Sequence, residues 1–503
     1  MPGKTAVVVG GGVGGLSSSI RLAKSGREVY LVEKNDRLGG RLQSVHLKAE
    51  TDHRSFRFDT GPSLLLFPQT YRKEFASLGA QLPPLLEVDR TSLYRVFYEE
   101  EDDDNPGEKC SHLDLLADEN AMAEQLEGVE KGAGESFHRM MRSARAALEV
   151  GVDAFIDRNF ETLLDFVNPV RLLPLLPKLV SAGVTNPLSL LQPLDDWLRT
   201  YFDDPRIRAL FTFQTLYVGL TPYSAPSAFS LLAATELTDG VWYPKGGFGE
   251  IGRALETRAR QVGVRIETST TVKRIMVDRE DPESSLGVFS QERGRVRGVE
   301  CLREGETETF AIESDLVLVN ADLPYAKQDL LAEGRSKPSD ASGSARAGEN
   351  FSAGIVEFCW GVSSDLDGLA QHNIFLSKDY EDSWIRPGSR RSASYLKRSG
   401  NFYVHVPSKT DATSVSAPGT SSCMILFPVA NLGEHARGGN YDEMVQWCRE
   451  VILKRFKEAG LGDIQDKIEV EAVTTPDQWK EVSAILSLFA SPLPSLSSLS
   501  LSL

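Results

Sequence analysis

Cysteine is scarce and poorly placed for cross-linking. Cys110, Cys301, Cys359, Cys423 and Cys448 are odd in number, scattered and never in C-x-x-C spacing. They signal neither a disulfide framework nor a thiolate zinc site, and a reduced, intracellular setting is expected. Histidine is equally thin: seven residues, with His46 and His53 the nearest pair, so no metal is expected. Positive charge is in deficit, with 55 Lys and Arg against 71 Asp and Glu for a net charge of −16. A nucleic-acid partner needs a concentrated basic surface, and none is present. No run of about 18 uninterrupted apolar residues occurs, so no transmembrane helix is expected. The first predicted strand begins about five residues from Met1, which leaves no signal or transit peptide visible ahead of it.

At 503 residues the chain is too long for one compact core and implies two or three domains. It begins with AVVVGGGVGGLSSSI from Ala6, which reads as strand, turn and helix. Gly10, Gly12 and Gly15 fall in the G-x-G-x-x-G pattern, with Gly14 inside it. The three glycines give a tight turn, close backbone approach to a pyrophosphate, and close helix-on-strand packing. The N–H groups and positive dipole end of the following helix then face the phosphates. REVYLVEK, Arg27 to Lys34, reads as a buried second strand ending in Glu33 and Lys34. An acid about 20 positions after the glycines catches a ribose hydroxyl and repels a 2′-phosphate. NADP is disfavoured, and NAD and FAD both remain.

Further along, EEEDDDNPGE at Glu99 to Glu108 reads as an exposed loop. From Asp114 to about Thr200 the spacing is helical, and the apolar stretch Asp165 to Leu194 carries Pro169, Pro174, Pro177, Pro187 and Pro193. Prolines at that density cut helices short. Short apolar helices either cover a substrate cavity or lie in a membrane interface. VRIETSTTVKRIMV looks like paired strands, and SDLVLVNAD like another buried strand. A second αβ segment so far from the first predicts one nucleotide-binding domain built of separated pieces. FSAGIVEFCWGV, NFYVHVPSKTD and SCMILFPVA alternate like strands of one sheet, and Tyr441 to Gly462 reads as a helix ending in glycines. Lys337 to Asn350 is composed like a surface loop, and Leu486 to Leu503 is almost all Leu and Ser.

The glycine run with Glu33, followed by DRLGGR at Asp36 to Arg41, resembles the flavin-containing amine oxidase and carotenoid desaturase superfamily. FRFDTGPSLLLFPQTY, YFDDPRIRALFTFQTLYVGLTPYSAPSAFSLL, GVWYPKGGFGEIGRAL and NFYVHVPSKTD are similar to the bacterial and fungal type of phytoene desaturase. These segments spread from about Thr5 to Trp479. The resemblance implies an α/β fold: a Rossmann-like FAD-binding domain of discontinuous segments with an inserted α+β substrate domain. Residues 1–95 and 237–335 would form the FAD domain, 96–236 and 350–480 the substrate and membrane-associating domain, and 486–503 a low-complexity tail. FAD is the implied cofactor. Gly39, Gly40 and Arg41 would lie beside its phosphates, Gly61, Pro62 and Ser63 near its ring system, and Val272 against the adenine. The Asn320-Ala321-Asp322 stretch resembles the turn after a strand of that domain.

The implied chemistry is dehydrogenation of a polyene hydrocarbon such as phytoene by hydride transfer to flavin, the cofactor carrying the hard step. A hydrocarbon has no polar handle, so an apolar tunnel must recognise it. Phe211, Phe213, Tyr217 and Phe229 are its candidate walls. A substrate dissolved in lipid adds peripheral membrane contact to the expectation. No catalytic acid or base is singled out by the residues. Two other readings stand beside this one: a flavin-dependent carotenoid isomerase, and a truncated form that holds no flavin. The second arises because family members continue beyond TTPDQW, Thr474 to Trp479, into a last FAD-domain piece, where this chain has the Ser/Leu tail.

Overall fold

The computed structural model describes residues 4–50, 53–99, 110–151, 177, 190–279, 294–322, 326–330, 352–389, 399–434 and 441–483. Among these, eighteen strands, numbered β1 to β18 in chain order, form five sheets. The expectations for 100–108, for nearly all of Asp165 to Leu194, for Lys337 to Asn350 and for the Ser/Leu tail lie outside the described residues.

The first sheet has the order β13-β1-β2-β9, from β1 (Thr5–Val9), β2 (Glu28–Val32), β9 (Arg265–Glu267) and β13 (Leu316–Val319). Every pairing is parallel, with Val9 opposite both Val32 and Val319 and Tyr30 opposite Arg265. β1 is buried on both faces, as the continuous run AVVV requires of a central parallel strand. Helix α1 (Val13–Lys24) buries Leu16 and Ile20, one turn apart, and carries Arg21 and Lys24 in its last turn, where cations complement the helix dipole. It packs against the helix Gly249–Gln261 through a shared core of Val8, Leu16, Ile20, Ile251 and Leu255. Strands from widely separated stretches of chain therefore meet in one Rossmann-like layer. The fold is α/β.

A second, antiparallel sheet joins β10 (Thr270–Arg279), β11 (Gly294–Arg303) and β12 (Phe310–Glu313). Here the structure departs from the sequence reading: β9 and β10 are consecutive strands but do not pair with each other. Ser269 between them has φ +47°, and its N–H donates to Asn35 O while that of Thr270 donates to Glu33 O. The chain leaves the parallel sheet at this corner, and period-two alternation on both sides of a corner looks the same as alternation through a hairpin.

The largest sheet has the order β18-β14-β17-β16-β15-β6-β7. It comprises β6 (Tyr94–Glu99), β7 (Cys110–Leu115), β14 (Gly354–Val362), β15 (His372–Leu376), β16 (Phe402–His405), β17 (Ser421–Val429) and β18 (Ile468–Thr474). Its pairings are antiparallel except β15 with β6. The three expected strands β14, β16 and β17 are indeed in one sheet. Asp114, the expected start of the helical stretch, is still in β7. One face packs on the helix Asp442–Phe456 through Trp447, Ile452 and Phe456. The other faces the helices Glu119–Glu127, Ala133–Gly151 and Ser230–Asp239 in a core that includes Tyr94, Phe137 and Phe213. Two short ladders, β3 (Ser44–Lys48) with β4 (Ser55–Asp59) and β5 (Leu85–Glu87) with β8 (Trp242–Pro244), bridge the layers. Among the described residues no helix is long and apolar enough to cross a membrane.

Candidate functional site

The C-terminal ends of the parallel strands open on a cavity of about 1140 Å³, larger than the roughly 300–1,000 Å³ of ordinary small-molecule sites. At its floor β1 runs into Gly10, whose φ of +100° is a glycine conformation, and the Gly10 N–H donates to Val32 O at 2.8 Å. Gly12 is the N-cap of α1. No side chain caps the helix and its first turn has no acid, so its free N–H groups remain available to an anion. Gly15 lies one layer behind: a Cβ there would sit 1.9 Å from Gly10 O, so only glycine lets the helix approach the strand this closely. Gly39 pairs with Gly12 in an isolated parallel bridge, and its N–H donates to Gly11 O at 2.9 Å.

Glu33, 7% exposed at the end of β2, accepts from the Gly11 N–H at 2.7 Å and the Asn35 N–H at 3.0 Å. Two backbone donors thus fix its carboxylate beside the turn. Burial pulls the Lys34 ammonium below its ordinary pKa, and the Glu33 charge opposes this.

The lining includes Gly10, Gly12, Gly14, Glu33, Lys34, Gly39, Gly40, Arg41, Gly61, Pro62, Ser63 and Val272, together with Phe213 and Tyr217. Gly15, Phe211 and Phe229 are not among the lining residues. Phe211 is buried and stacks on Phe137 and Phe202, each at 5.9 Å, and Phe229 is half-buried on the short turn Ser227–Phe229. The cavity is chemically divided. Glu33, Lys34, Arg41 and Asp322 sit with the glycines at the ends of the parallel strands. Leu64, Leu66, Phe67, Leu216, Leu232 and Ile355 make the remainder apolar.

Several lining groups had no individual signal in the sequence. Tyr403 of β16 forms a 2.7 Å hydrogen bond with Ser63 Oγ and a 2.6 Å one with His372 Nδ1. The His372 ring stacks on that of His405 at 5.2 Å. Burial pushes His372 down to about 3, and burial with the neighbouring His372 and Arg57 pushes His405 well below its ordinary value, so both imidazoles are neutral. Trp384 and Arg386 also reach the cavity, and the expected turn Asn320-Ala321-Asp322 lines it as well, with the Asn320 side chain over Gly14. Alternation in NFYVHV puts Tyr403 on one face with His405, a signal that could have been read. Nothing local marks Trp384.

The uncapped helix end, the cleared approach at Gly15 and the buried acid at the end of β2 fit the pyrophosphate and ribose of a dinucleotide. Residues 8–78 match the NAD(P)-binding Rossmann-like domain family. The chain is 31% identical over 504 residues to a phytoene desaturase of Fusarium fujikuroi, covering 95% of this chain and 78% of that protein. It is 30% identical to a zeta-carotene-forming phytoene desaturase of Myxococcus xanthus, over 95% of this chain and 82% of the relative. A carotenoid 3,4-desaturase of Haloarcula japonica is 28% identical, over 94% and 84%. Among solved structures an oxidoreductase from Methanosarcina mazei superposes with TM-score 0.54 at 17% identity, covering 94% of this chain and 88% of that one. A redesigned putrescine oxidase superposes with TM-score 0.52 at 12% identity, over 95% and 86%. The structural likenesses establish the fold. Near-complete coverage at about 30% identity, on a chain whose glycine turn and buried acid are built for a flavin or nicotinamide dinucleotide, establishes more: this chain belongs to the phytoene desaturase family.

Proposed function

We propose that the protein is a FAD-dependent carotenoid desaturase that introduces double bonds into a polyene precursor such as phytoene. The observation that carries the reading is the divided cavity: a dinucleotide cradle at one end, continuous with an apolar chamber at the other. Residues 1–95 and 237–335 form the FAD-binding part and 96–236 and 350–480 the substrate part in this reading.

The free N–H groups of α1, with Gly10, Gly12, Gly14, Gly39, Gly40 and Arg41, hold the pyrophosphate, Gly15 acts from behind by letting α1 approach β1 closely, and Glu33 with Lys34 borders the adenosine ribose. Val272, 5% exposed in β10, closes the adenine side. Gly61, Pro62 and Ser63 border the ring system. When bound, FAD supplies a hydride acceptor. Phe213 and Tyr217 with Leu64, Leu66 and Leu232 exclude water from the substrate and orient it by shape alone, since a hydrocarbon offers nothing to hydrogen-bond. Phe211 stiffens that wall from behind through its stack with Phe137 and Phe202. A lipid-dissolved substrate requires delivery from a bilayer, and the apolar, proline-cut stretch Asp165 to Leu194 suits a peripheral contact for it.

Expression of the full chain tests the reading. The visible spectrum should show bound flavin, and incubation with phytoene in liposomes should give products with longer chromophores. A preparation without flavin absorbance, or with flavin and unchanged phytoene, overturns it.

A further inference from the structure

Making a double bond removes a hydride from one carbon and a proton from its neighbour, and the proton needs a destination. The carboxylates that line the cavity, Glu33 and Asp322, both sit at the dinucleotide end. In the apolar chamber the ionisable groups of the lining are Tyr71, Tyr217, Tyr403 and Arg386. Behind Tyr217 lies Glu236. It belongs to the helix Ser230–Asp239, one turn beyond the lining residue Leu232, and is 0% exposed. One carboxyl oxygen accepts from Tyr217 Oη at 3.1 Å and the other from Gln214 Nε2 at 3.2 Å. Among the described residues no positively charged group offsets it: the titratable groups that face it are Tyr94 of β6 and Tyr217, with Tyr403 beyond them. The Tyr94 hydroxyl also faces this carboxyl, and Gln214 Oε1 is buried without a hydrogen-bond partner. An isolated carboxyl in such a place is costly to charge and needs a reason to be there.

We propose that the Tyr217–Glu236 pair receives the proton lost from the polyene, with Tyr217 touching the substrate and Glu236 acting through it. This rests on the desaturase reading. Once the hydride has left with its electron pair to the bound flavin, the adjacent C–H bond breaks and its electrons become the new π bond. The proton passes to Tyr217 Oη as the hydroxyl's own proton passes to Glu236. The pair gains one proton per double bond and returns it to water between cycles. Burial pushes Glu236 up to about 7, against hydrogen bonds that pull it down, which suits a group that must take and release a proton near neutrality. The other buried polar chain at the cavity, Ser63–Tyr403–His372, is a poorer acceptor because His372 is held down to about 3.

The test uses the flavin-loaded full chain with phytoene in liposomes. Wild-type kcat should rise with pH through about 7. Glu236→Gln should lose that limb and fall about 100-fold in kcat with KM changed less than about threefold, and Glu236→Asp should restore part of the rate. Independently of turnover, infrared spectra of the flavin-free chain between pH 5.5 and 8.5 should show a buried carboxyl band that titrates near neutrality and is absent in Glu236→Gln. If that variant fails to hold flavin, Tyr217→Phe, which removes one hydroxyl and keeps the ring, carries the same kcat expectation. Variants that retain kcat within about threefold, or a pH limb that survives Glu236→Gln, overturn the proton role and leave the desaturase reading standing. Wild-type holoenzyme that leaves phytoene unchanged overturns both.

Discussion

Replacing Gly15 by alanine puts opposing effects of known size against each other. A Cβ at this position lies 1.9 Å from Gly10 O, and relief to an ordinary contact of 3.4 Å requires α1 or the glycine turn to move about 1.5 Å. Alanine in a helix interior gains about 1 kcal/mol over glycine. Forcing an atom into a packed site costs about 1–3 kcal/mol, and here the obstacle is backbone that also shapes the cradle. The N–H end of α1 then shifts away from the pyrophosphate, with a loss of about 2 kcal/mol in cofactor binding, or about 30-fold in Kd. Gly14→Ala is the matched control: it gains the same propensity, but its Cβ meets the Asn320 side chain at 2.6 Å, which can rotate. Fluorescence titration of FAD into the flavin-free chain should show Gly15→Ala weakened about 30-fold and Gly14→Ala by less than about fivefold, roughly 1 kcal/mol. Equal affinities for Gly15→Ala and wild type would refute the packing argument.

Three other outcomes follow from the structure. Glu33→Gln turns an amide N–H toward one of the two backbone donors, Gly11 or Asn35, that the carboxylate now satisfies; FAD affinity should fall at least tenfold by the same titration, and an unchanged Kd would remove Glu33 from the site. Asp411→Ala removes the carboxylate paired at 2.7 Å with Arg57, which is 5% exposed and keeps Thr413 as a hydrogen-bond acceptor and Asp59 as a neighbouring acid, so urea unfolding should show a loss of up to about 3–5 kcal/mol, and a loss under about 1 kcal/mol contradicts the reading. Burial and the charge of Asp59 push Glu357 up to about 8. The folded chain therefore holds this proton more tightly than the unfolded one, and the contribution, full below the ordinary carboxyl range, is lost as pH rises through about 8. The loss is at most about 5 kcal/mol, so Glu357→Gln should flatten the decline of urea midpoint between pH 5 and 9, and identical slopes would show that Glu357 is not the group responsible.

The parallel layer was legible because its signals are local: glycines at fixed spacing, a β-branched run, an acid at the end of the next strand. Three of the seven strands of the large sheet, β14, β16 and β17, were legible as strands for the same reason, whereas β7 lies where the helical stretch was expected to start. What the sequence could not convey was pairing across distance. Nothing in VRIETSTTVKRIMV distinguishes a hairpin from a corner, and only the hydrogen bonds of Ser269 and Thr270 to Asn35 and Glu33 decide it. The polar cradle was readable residue by residue, whereas the chamber was not: Phe211 and Phe213 are two residues apart in one motif, yet one stacks in the core and the other lines the cavity. Glu236 stands in the run AATELTD with only Asp239 as a further acid, and its meaning comes from Tyr217 and Gln214, which approach it from another element.

The central strand of the parallel layer has neighbours from opposite ends of a long stretch of chain, since β1 lies between β2 and β13. At synthesis rates of about 5–20 residues per second, the ribosome finishes β13 at Val319 on the order of 15–60 s after it has passed β2 at Val32. Throughout that interval the glycine turn has its first flank and lacks its second, and the hydrophobic edge of β1 has no partner. The cradle that opens the sequence is thus completed only once synthesis has passed Val319, and a nascent chain released before Leu316 should bind aggregates or chaperones in preference to flavin.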